Sequence, residues 1–599
     1  MQVHRIFERG IGVRYLINNV PGEDGMEKFY TSELNVQILI SLMKQHNISK
    51  VIASPGTTNV SFVASIQQDD FFEIYPSVDE RSAAFMACGL AEECGEPVAL
   101  SCTGATASRN YVPGMTAAFY NHLPILAITS SHSNCDIGHL SPQVTDRTQL
   151  LNDIAKYSFQ LPIISSDGDK WPAVVGVNKA LLELTHNRPG PVHINLATNY
   201  SRDFSVRNLP VFKKIDRIEK KTKLPELPSG NIAIIIGNHS PFSDKMTELI
   251  DRFCECHNAI VLCDQTSNYY GKYRILANIM TNQPSKFTCK QFDLVIHIGT
   301  VSGAYINFKT KEVWRIDCDG EVKDLYRRLK FVFQMDEETF FESYINGEKS
   351  NNMLLKKCKE EEAIIRSKIP EIPFSNIWIA KTVSKLLPKG SVLHLSILNT
   401  LRSWNFFEIS NKINVFCNTG GFGIDGCMSS FIGASLTNPE KLYFGIFGDL
   451  AFFYDINVLL NHIVYNNVRI MLINNGIGTE FKNYDHVVSS FGKEGDKFMA
   501  AAGHFGNKSN CLVKNYAHDL GFEYLSASSK KEALIALREW TNPNIGERPV
   551  ILEVFTDENN ESNALQLMNS IVVDKKRKVI NKLLGPKGIE FVKKLLRRN

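Results

Sequence analysis

Short runs of branched apolar residues alternate with stretches of helical period from Thr31 to about Val573, and this alternation limits the fold more than any other feature. Strands separated by helices imply parallel sheets covered by helices on both faces. In the first block Leu34, Ile38, Leu39, Leu42 and Met43 recur at helical spacing, with Ser32 as the expected N-cap. Val51-Ile52-Ala53 reads as a buried strand ending at Ser54-Pro55-Gly56. A helix is expected from about Glu80 to Cys94, then a strand at Val98-Ala99-Leu100-Ser101. The block closes near Pro191-Val192-His193-Ile194-Asn195.

The same alternation resumes twice. Ile232 to Gly237, Ala259 to Leu262, Leu294 to Gly299 and Val313 to Ile316 read as strands of a second block. Gly237 lacks a G-x-G-x-x-G context, so this block reads as a Rossmann-like spacer rather than a dinucleotide site. The predicted organisation is an N-terminal extension (1–30), a first α/β domain (31–212), a basic, Pro-containing linker (213–230) and a second domain (231–345). A charged connector (346–373), with a helix from Met353 to Lys368, leads to a third domain (374–574) and a basic tail (575–599). The fold class is α/β, with three consecutive doubly wound parallel-sheet domains.

Composition narrows the function classes. The 66 basic and 63 acidic residues leave a net charge of +3, which argues against nucleic acid as the main partner. The tail carries ten Lys or Arg and one Glu, a pattern expected of a solvated helix or a subunit contact. The 13 cysteines are scattered without a C-x-x-C pair, and Cys254-Glu255-Cys256-His257 reads as thiols on a helix side in a reducing compartment. No apolar run reaches the roughly 18 residues that span a bilayer. The N-terminus has Arg and Glu where a signal peptide needs apolar residues, so the expected location is cytoplasmic.

The chemistry concentrates in the third block. Leu442 to Phe447 reads as a strand ending at Gly448-Asp449, followed by a helix containing Ile456, Leu459, Leu460 and Ile463. The next strand, Arg469 to Ile473, ends at Asn474-Asn475-Gly476. Asp449 and Asn475 are thereby placed at the C-terminal ends of two strands, where ligands bind in parallel sheets. A carboxylate, an amide oxygen and a backbone carbonyl suit Mg²⁺, which takes hard oxygen ligands in octahedral array. Gly448 lets backbone N–H groups approach an anion.

A Gly-Asp followed some 25 residues later by Asn-Asn resembles the signature of thiamine diphosphate enzymes. The resemblance covers nearly all of residues 31–573 and points to the pyruvate decarboxylase and acetolactate synthase superfamily. It implies pyrimidine, central and diphosphate domains in that order, with thiamine diphosphate and Mg²⁺ as cofactors. It makes Asp449, Asn475 and the carbonyl of Ile477 the metal ligands. Within Asp79-Glu80-Arg81-Ser82 it makes Glu80 the partner of N1′ on the aminopyrimidine. A carboxyl sharing that proton favours the imino tautomer, whose nitrogen takes the C2 proton. In Asn418-Thr419-Gly420-Gly421-Phe422-Gly423-Ile424, the resemblance makes Ile424 a wedge between the cofactor rings and the Phe422 carbonyl an acceptor from N4′. Gly56, Gly421, Gly448, Leu450 and Ala451 are further cofactor contacts on the same ground.

Ser54-Pro55-Gly56, Asp79 to Ser82, Gly423-Ile424-Asp425-Gly426 and Gly448 to Asp455 most resemble the SEPHCHC synthases of menaquinone biosynthesis, which join 2-oxoglutarate to isochorismate. The substrate side departs from them. They carry Arg where this chain has Thr57-Thr58-Asn59, Thr419 and His132. Guanidinium groups are the natural clamps for carboxylates, so a change of substrate is expected. Gln143 matches a polar active-site position, and His132 is a candidate to orient substrate or shuttle a proton, or a satisfied polar residue. Arg402 is a candidate replacement cation. The expected activity is decarboxylation of a 2-oxo acid, pyruvate foremost, and transfer of the fragment to a carbonyl or alkene acceptor. The alternatives are a plain decarboxylase releasing an aldehyde, and a silent cofactor-binding regulatory subunit. The resemblance also implies a homodimer or homotetramer, with Glu80 of one subunit serving the cofactor held by Asp449 of another. Neither nucleic acid nor membrane is an expected partner.

Overall fold

The computed structural model describes residues 29–219, 222–347, 349–410, 413–420, 422–461, 464–502 and 509–572. Nearly all of the N-terminal extension, the basic tail, Gly421 and Ile463 lie outside the described residues. The chain divides into two compact units that meet between Ile215 and Asp216.

The first unit carries one parallel sheet of six strands: β1 (Lys50–Ala53), β2 (Glu73–Pro76), β3 (Val98–Thr103), β4 (Ile125–Ser131), β5 (Tyr157–Leu161) and β6 (Val192–Ala197). Their order is β2-β1-β3-β4-β6-β5. Strands β3, β4 and β6 are buried on both faces, and their few polar side chains, such as Thr129 and His193 at 2.8 Å, pair with one another. Helix Leu34–Gln45 fills one face with Val36, Ile38, Leu39, Leu42 and Met43. Helix Glu80–Cys94 fills the other with Ala83, Ala84, Ala87 and Ala91. Alanines there let helix Val112–Tyr120 approach closely, and a Cβ on Gly114 would stand 2.4 Å from that of Ala84.

The second unit holds two more parallel sheets. One contains β7 (Asp216–Glu219), β8 (Ile232–Ile236), β9 (Ala259–Cys263), β10 (Arg274–Leu276), β11 (Gln291–Ile298), β12 (Lys309–Ile316) and β13 (Leu329–Gln334). It runs β10-β9-β8-β11-β12-β13-β7. The other contains β14 (Val392–Leu395), β15 (Asn414–Phe416), β16 (Tyr443–Gly448), β17 (Val468–Asn474), β18 (Glu523–Ala527) and β19 (Val550–Phe555). Its order, β15-β14-β16-β17-β19-β18, repeats that of the first sheet. Three parallel sheets with interleaved helices match the α/β fold expected from the sequence.

Three local expectations fail. The cap of the first helix is Glu33, not Ser32, whose hydroxyl instead meets that of Ser201 at 3.0 Å. The stretch read as a linker contains β7, a polar edge strand whose in-sheet neighbour β13 comes more than a hundred residues later. After Gly448 the chain makes a short helix, Asp449–Tyr454, and then a 3₁₀ stretch, Ile456–Leu460, rather than one helix. Asp455 interrupts it by turning back to accept from Ser429 N and Oγ, both at 2.6 Å.

In the second sheet a Cβ on Gly237 would lie 2.0 Å from the Thr300 carbonyl oxygen. Glycine there serves the packing of two strand ends, in keeping with a spacer. Cys254 is buried in helix Asp244–His257, and His257 Nε2 meets the Tyr344 carbonyl at 2.5 Å, so this tetrad is structural.

Candidate active site

Strand β16 pairs with β14 on one side and β17 on the other, so its C-terminal end opens at the point where the strand order reverses. Asp449 sits there, 3% exposed. Its Oδ1 accepts from Leu450 N at 2.8 Å and its Oδ2 from Gly476 N at 2.9 Å. The second bond brings the Asn475 loop, at the end of β17, against the carboxylate. Burial pushes the Asp449 carboxyl up to about 7, and the backbone donors only partly oppose it.

The two asparagines differ in role. Asn474 points inward and donates to Glu553 Oε1 at 2.7 Å. Asn475 Nδ2 donates to Thr479 Oγ1 at 3.3 Å, and its Oδ1 lies 3.5 Å from Ile477 N. A buried carboxylate and a carboxamide oxygen on one loop junction fit a hard divalent cation. A Cβ on Gly448 would meet no atom within 4 Å, so the chain leaves open space directly before Asp449. Phe422 adopts φ 53° and is exposed, Ile424 is half-buried, and helix Cys427–Ser435 is fixed through Ser429 to Asp455. Leu450 is half-buried and Ala451 buried beside Asp449.

A second carboxyl stands near. Glu561 is buried, accepts from Asn376 N at 3.0 and 3.1 Å and from Thr556 Oγ1 at 2.7 Å, and is pushed up to about 7 by burial, with the Asp557 and Asp449 charges adding to it. The folded protein therefore holds this proton more tightly than the unfolded chain does. Stability from it is full below the unfolded value of 4.5, is lost as pH rises to about 7, and is flat beyond. The loss is about 3 kcal/mol at 1.36 kcal/mol per unit. Glu561→Gln, which keeps the acceptor and removes the charge, is expected to raise the unfolding midpoint of the apoprotein at pH 8 and leave it nearly unchanged at pH 4.5. Equal shifts at both pH values would remove burial as the cause.

In the first unit the predicted residues follow three strands, β1, β2 and β4, at their C-terminal ends. Gly56 follows β1, and a Cβ on it would lie 2.7 Å from that of Thr103 at the end of β3. Glu80 opens helix Glu80–Cys94 after β2, is half-buried, and accepts from Asn110 Nδ2 at 3.2 Å. His132 follows β4, its Nε2 2.6 Å from the Tyr200 hydroxyl. Gln143 is exposed at φ 62° on the next loop.

The three positions lacking arginine are now explicit. Thr58 is buried and donates to the Ser130 carbonyl at 2.6 Å, while Asn59 donates to the Ser54 carbonyl at 2.9 Å. Thr419 is buried and accepts from Asn238 Nδ2 at 3.0 Å. Arg402, the candidate replacement, is held by Glu480, with Nη1–Oε2 at 2.6 Å and Nη2–Oε1 at 2.8 Å. The sequence reading missed Glu480, Tyr200 and Arg147. Arg147 is 3% exposed, donates through Nε to Asn195 Oδ1 at 3.1 Å, and leaves no room for a side chain at Gly104. Each of these contacts joins residues distant in the chain or lies in a loop without a motif.

Residues 35–150 match the family described as thiamine pyrophosphate enzyme, N-terminal TPP binding domain. This chain is a thiamine diphosphate-dependent enzyme. Over about 90% of its length it is similar to curated 2-succinyl-5-enolpyruvyl-6-hydroxy-3-cyclohexene-1-carboxylate (SEPHCHC) synthases. That of Phocaeicola vulgatus is 28% identical over 578 residues, covering 90% of this chain and 98% of the relative. That of Bacteroides thetaiotaomicron is 28% identical over 580 residues, with the same coverage. That of Flavobacterium psychrophilum is 26% identical over 574 residues, covering 89% and 97%. Enzymes of this cofactor class make or break carbon–carbon bonds next to a carbonyl. No described helix of this enzyme is long and apolar enough to cross a membrane.

Proposed function

We propose that the enzyme is a Mg²⁺-dependent carboligase that decarboxylates a 2-oxo acid, pyruvate foremost, and transfers the remaining fragment to a carbonyl or alkene acceptor. The observation that carries this is the buried Asp449 carboxylate, bracketed by Gly476 N and the Asn475 loop at the ends of two paired strands. Asp449, Asn475 and the Ile477 carbonyl would hold the metal, and Gly448, Leu450 and Ala451 would border the diphosphate. Gly56, Gly421, Phe422 and Ile424 would border the rest of the cofactor. When bound, thiamine diphosphate supplies an electron sink for loss of CO₂ and a carrier for the fragment. Glu80 holds and returns a proton at N1′. Asn110, which donates to Glu80, keeps that carboxylate oriented. His132, set by Tyr200, and Gln143 face the substrate.

Pyruvate is favoured because Thr58 and Thr419 stand where a clamping arginine would, and neither they nor Arg402 offers a free cation. Thr58 and Thr419 are internally bonded and Arg402 is paired. A donor with a second carboxylate would lack a clamp. Self-association is part of the proposal, with Glu80 of one copy serving the metal site of another. Phe85 and Met86, 48% and 46% exposed on the Glu80 helix, supply an apolar face for it.

Mass spectrometry of the holoenzyme after exposure to a panel of 2-oxo acids tests the donor. A covalent cofactor adduct is expected with pyruvate; an adduct with 2-oxoglutarate alone would overturn the choice. Product analysis with and without acceptors separates carboligation from simple release of an aldehyde.

A further inference from the structure

Beside the Asn475 loop lies a cavity of about 530 Å³ whose wall includes Asn278, Tyr305, Arg402, Glu480, Tyr484 and Asn569. It is tied to the proposed metal loop by side chains. Asn475 and Asn399 both donate to the Thr479 hydroxyl, at 3.3 and 2.7 Å, and Asn399 Oδ1 accepts from Arg402 Nη1 at 3.0 Å. Glu480, the residue after Thr479, takes the fork of the same guanidinium with both carboxylate oxygens. The cation is therefore in place and already neutralised. Its two strongest donor directions are spent inside the protein. Asp485 on the same wall adds a further acid, so the lining carries two carboxylates for one guanidinium.

The rest of the wall is largely polar, with amide, phenol and imidazole groups suited to hydroxyls. Asn278 Nδ2 and Asn569 Oδ1, one donor and one acceptor, are buried just behind the cavity surface and lack partners among the described residues. Asn278 Oδ1 accepts from Asn282 at 2.6 Å, and Asn569 Nδ2 donates to the Tyr484 hydroxyl at 3.2 Å. This fixes which amide atoms remain to be satisfied. Tyr305, 77% exposed, offers an aromatic face to the apolar face of a ring. A polycarboxylate would meet a net negative wall and would have to displace Glu480 from Arg402. A polyol would donate to the carboxylates and amide oxygens and accept from the amide and guanidinium edges.

We infer that this cavity receives an uncharged, hydroxyl-rich acceptor of the sugar class, and that Glu480 sets that preference by occupying Arg402. The inference rests on the carboligase reading above, and it specifies the acceptor of that site.

Saturation-transfer NMR on the holoenzyme tests it, with D-ribose as the neutral probe and succinate as the anionic one. D-Ribose is expected to bind the native enzyme saturably and succinate at least tenfold more weakly. Glu480→Gln frees the guanidinium and is expected to tighten succinate at least tenfold. Asn278→Leu, which leaves the ion pair alone, is expected to weaken D-ribose about fivefold without moving succinate, and it keeps the test open should the first variant fold poorly. Native enzyme that binds succinate as tightly as D-ribose overturns the inference, and so does a folded Glu480→Gln variant with unchanged succinate affinity. Thiamine diphosphate is titrated into the same samples in Mg²⁺. Failure of that titration removes the carboligase reading. Normal cofactor binding with no saturable D-ribose removes only the acceptor assignment.

Discussion

Glu80→Gln is expected to bind thiamine diphosphate with nearly native affinity and to lose roughly 10²–10⁴-fold in turnover, the range for removal of a positioned acid–base group. Glutamine matches glutamate in shape and preserves an acceptor for Asn110 Nδ2. It cannot share a proton with N1′. The decisive measurement is exchange of the cofactor C2 proton into D₂O, followed by NMR after acid quench. The variant should exchange at the rate of free thiamine diphosphate. If Glu80 only complements its helix as the acidic residue of the first turn, the change costs a few tenths of a kcal/mol of stability and exchange stays fast. Native exchange in the variant would therefore transfer the role elsewhere.

Asp449→Ala should have the second largest effect, on cofactor retention. If Asp449 holds the metal as proposed, its removal is expected to weaken thiamine diphosphate binding in Mg²⁺ by about 100-fold or more, since even supporting groups of metal sites contribute 10–100-fold. The apoprotein should behave differently. Asp449 is buried with its carboxyl raised by desolvation, so its charge destabilises the empty site at neutral pH. The variant apoprotein should melt no lower than native, yet lose the cofactor-dependent rise in midpoint that binding produces by mass action. Calorimetry and thermal melts with and without cofactor read both effects. A variant that melts low and still binds cofactor would mark Asp449 as structural.

The strands legible in the sequence were those buried on both faces. Ile232 to Ile236 and Ile470 to Ile473 are unbroken apolar runs in strands buried on both faces. Two buried interior strands, Ile125–Ser131 and Val550–Phe555, were missed, and most of the others missed lie at sheet edges or carry mixed polarity. Glu73–Pro76, Asp216–Glu219 and Glu523–Ala527 are all edge strands, and a short polar segment has no period to read. Ser32 failed as a cap because the chain leaves it to pair with Ser201, a partner 169 residues away. The site divides in the same way. Gly448-Asp449 and Asn474-Asn475 are local motifs whose spacing reflects one strand, one connection and the next strand, so they were readable. Arg402 was visible as a cation, but its neutrality depends on Glu480, 78 residues later, and only the fold brings them together.

The first and third sheets share one strand order, and a shared order has a price in redundancy and a return in independence. Each sheet presents its own reversal crevice, built by the same wiring from unrelated side chains. One crevice is bordered by an acid and small residues, the other by a carboxylate–carboxamide pair. Loops beyond either crevice can be rewritten without rethreading the strands beneath. Divergence in what such an enzyme joins is thus a matter of rim substitutions, among which an acid placed beside an existing arginine is a single-codon step.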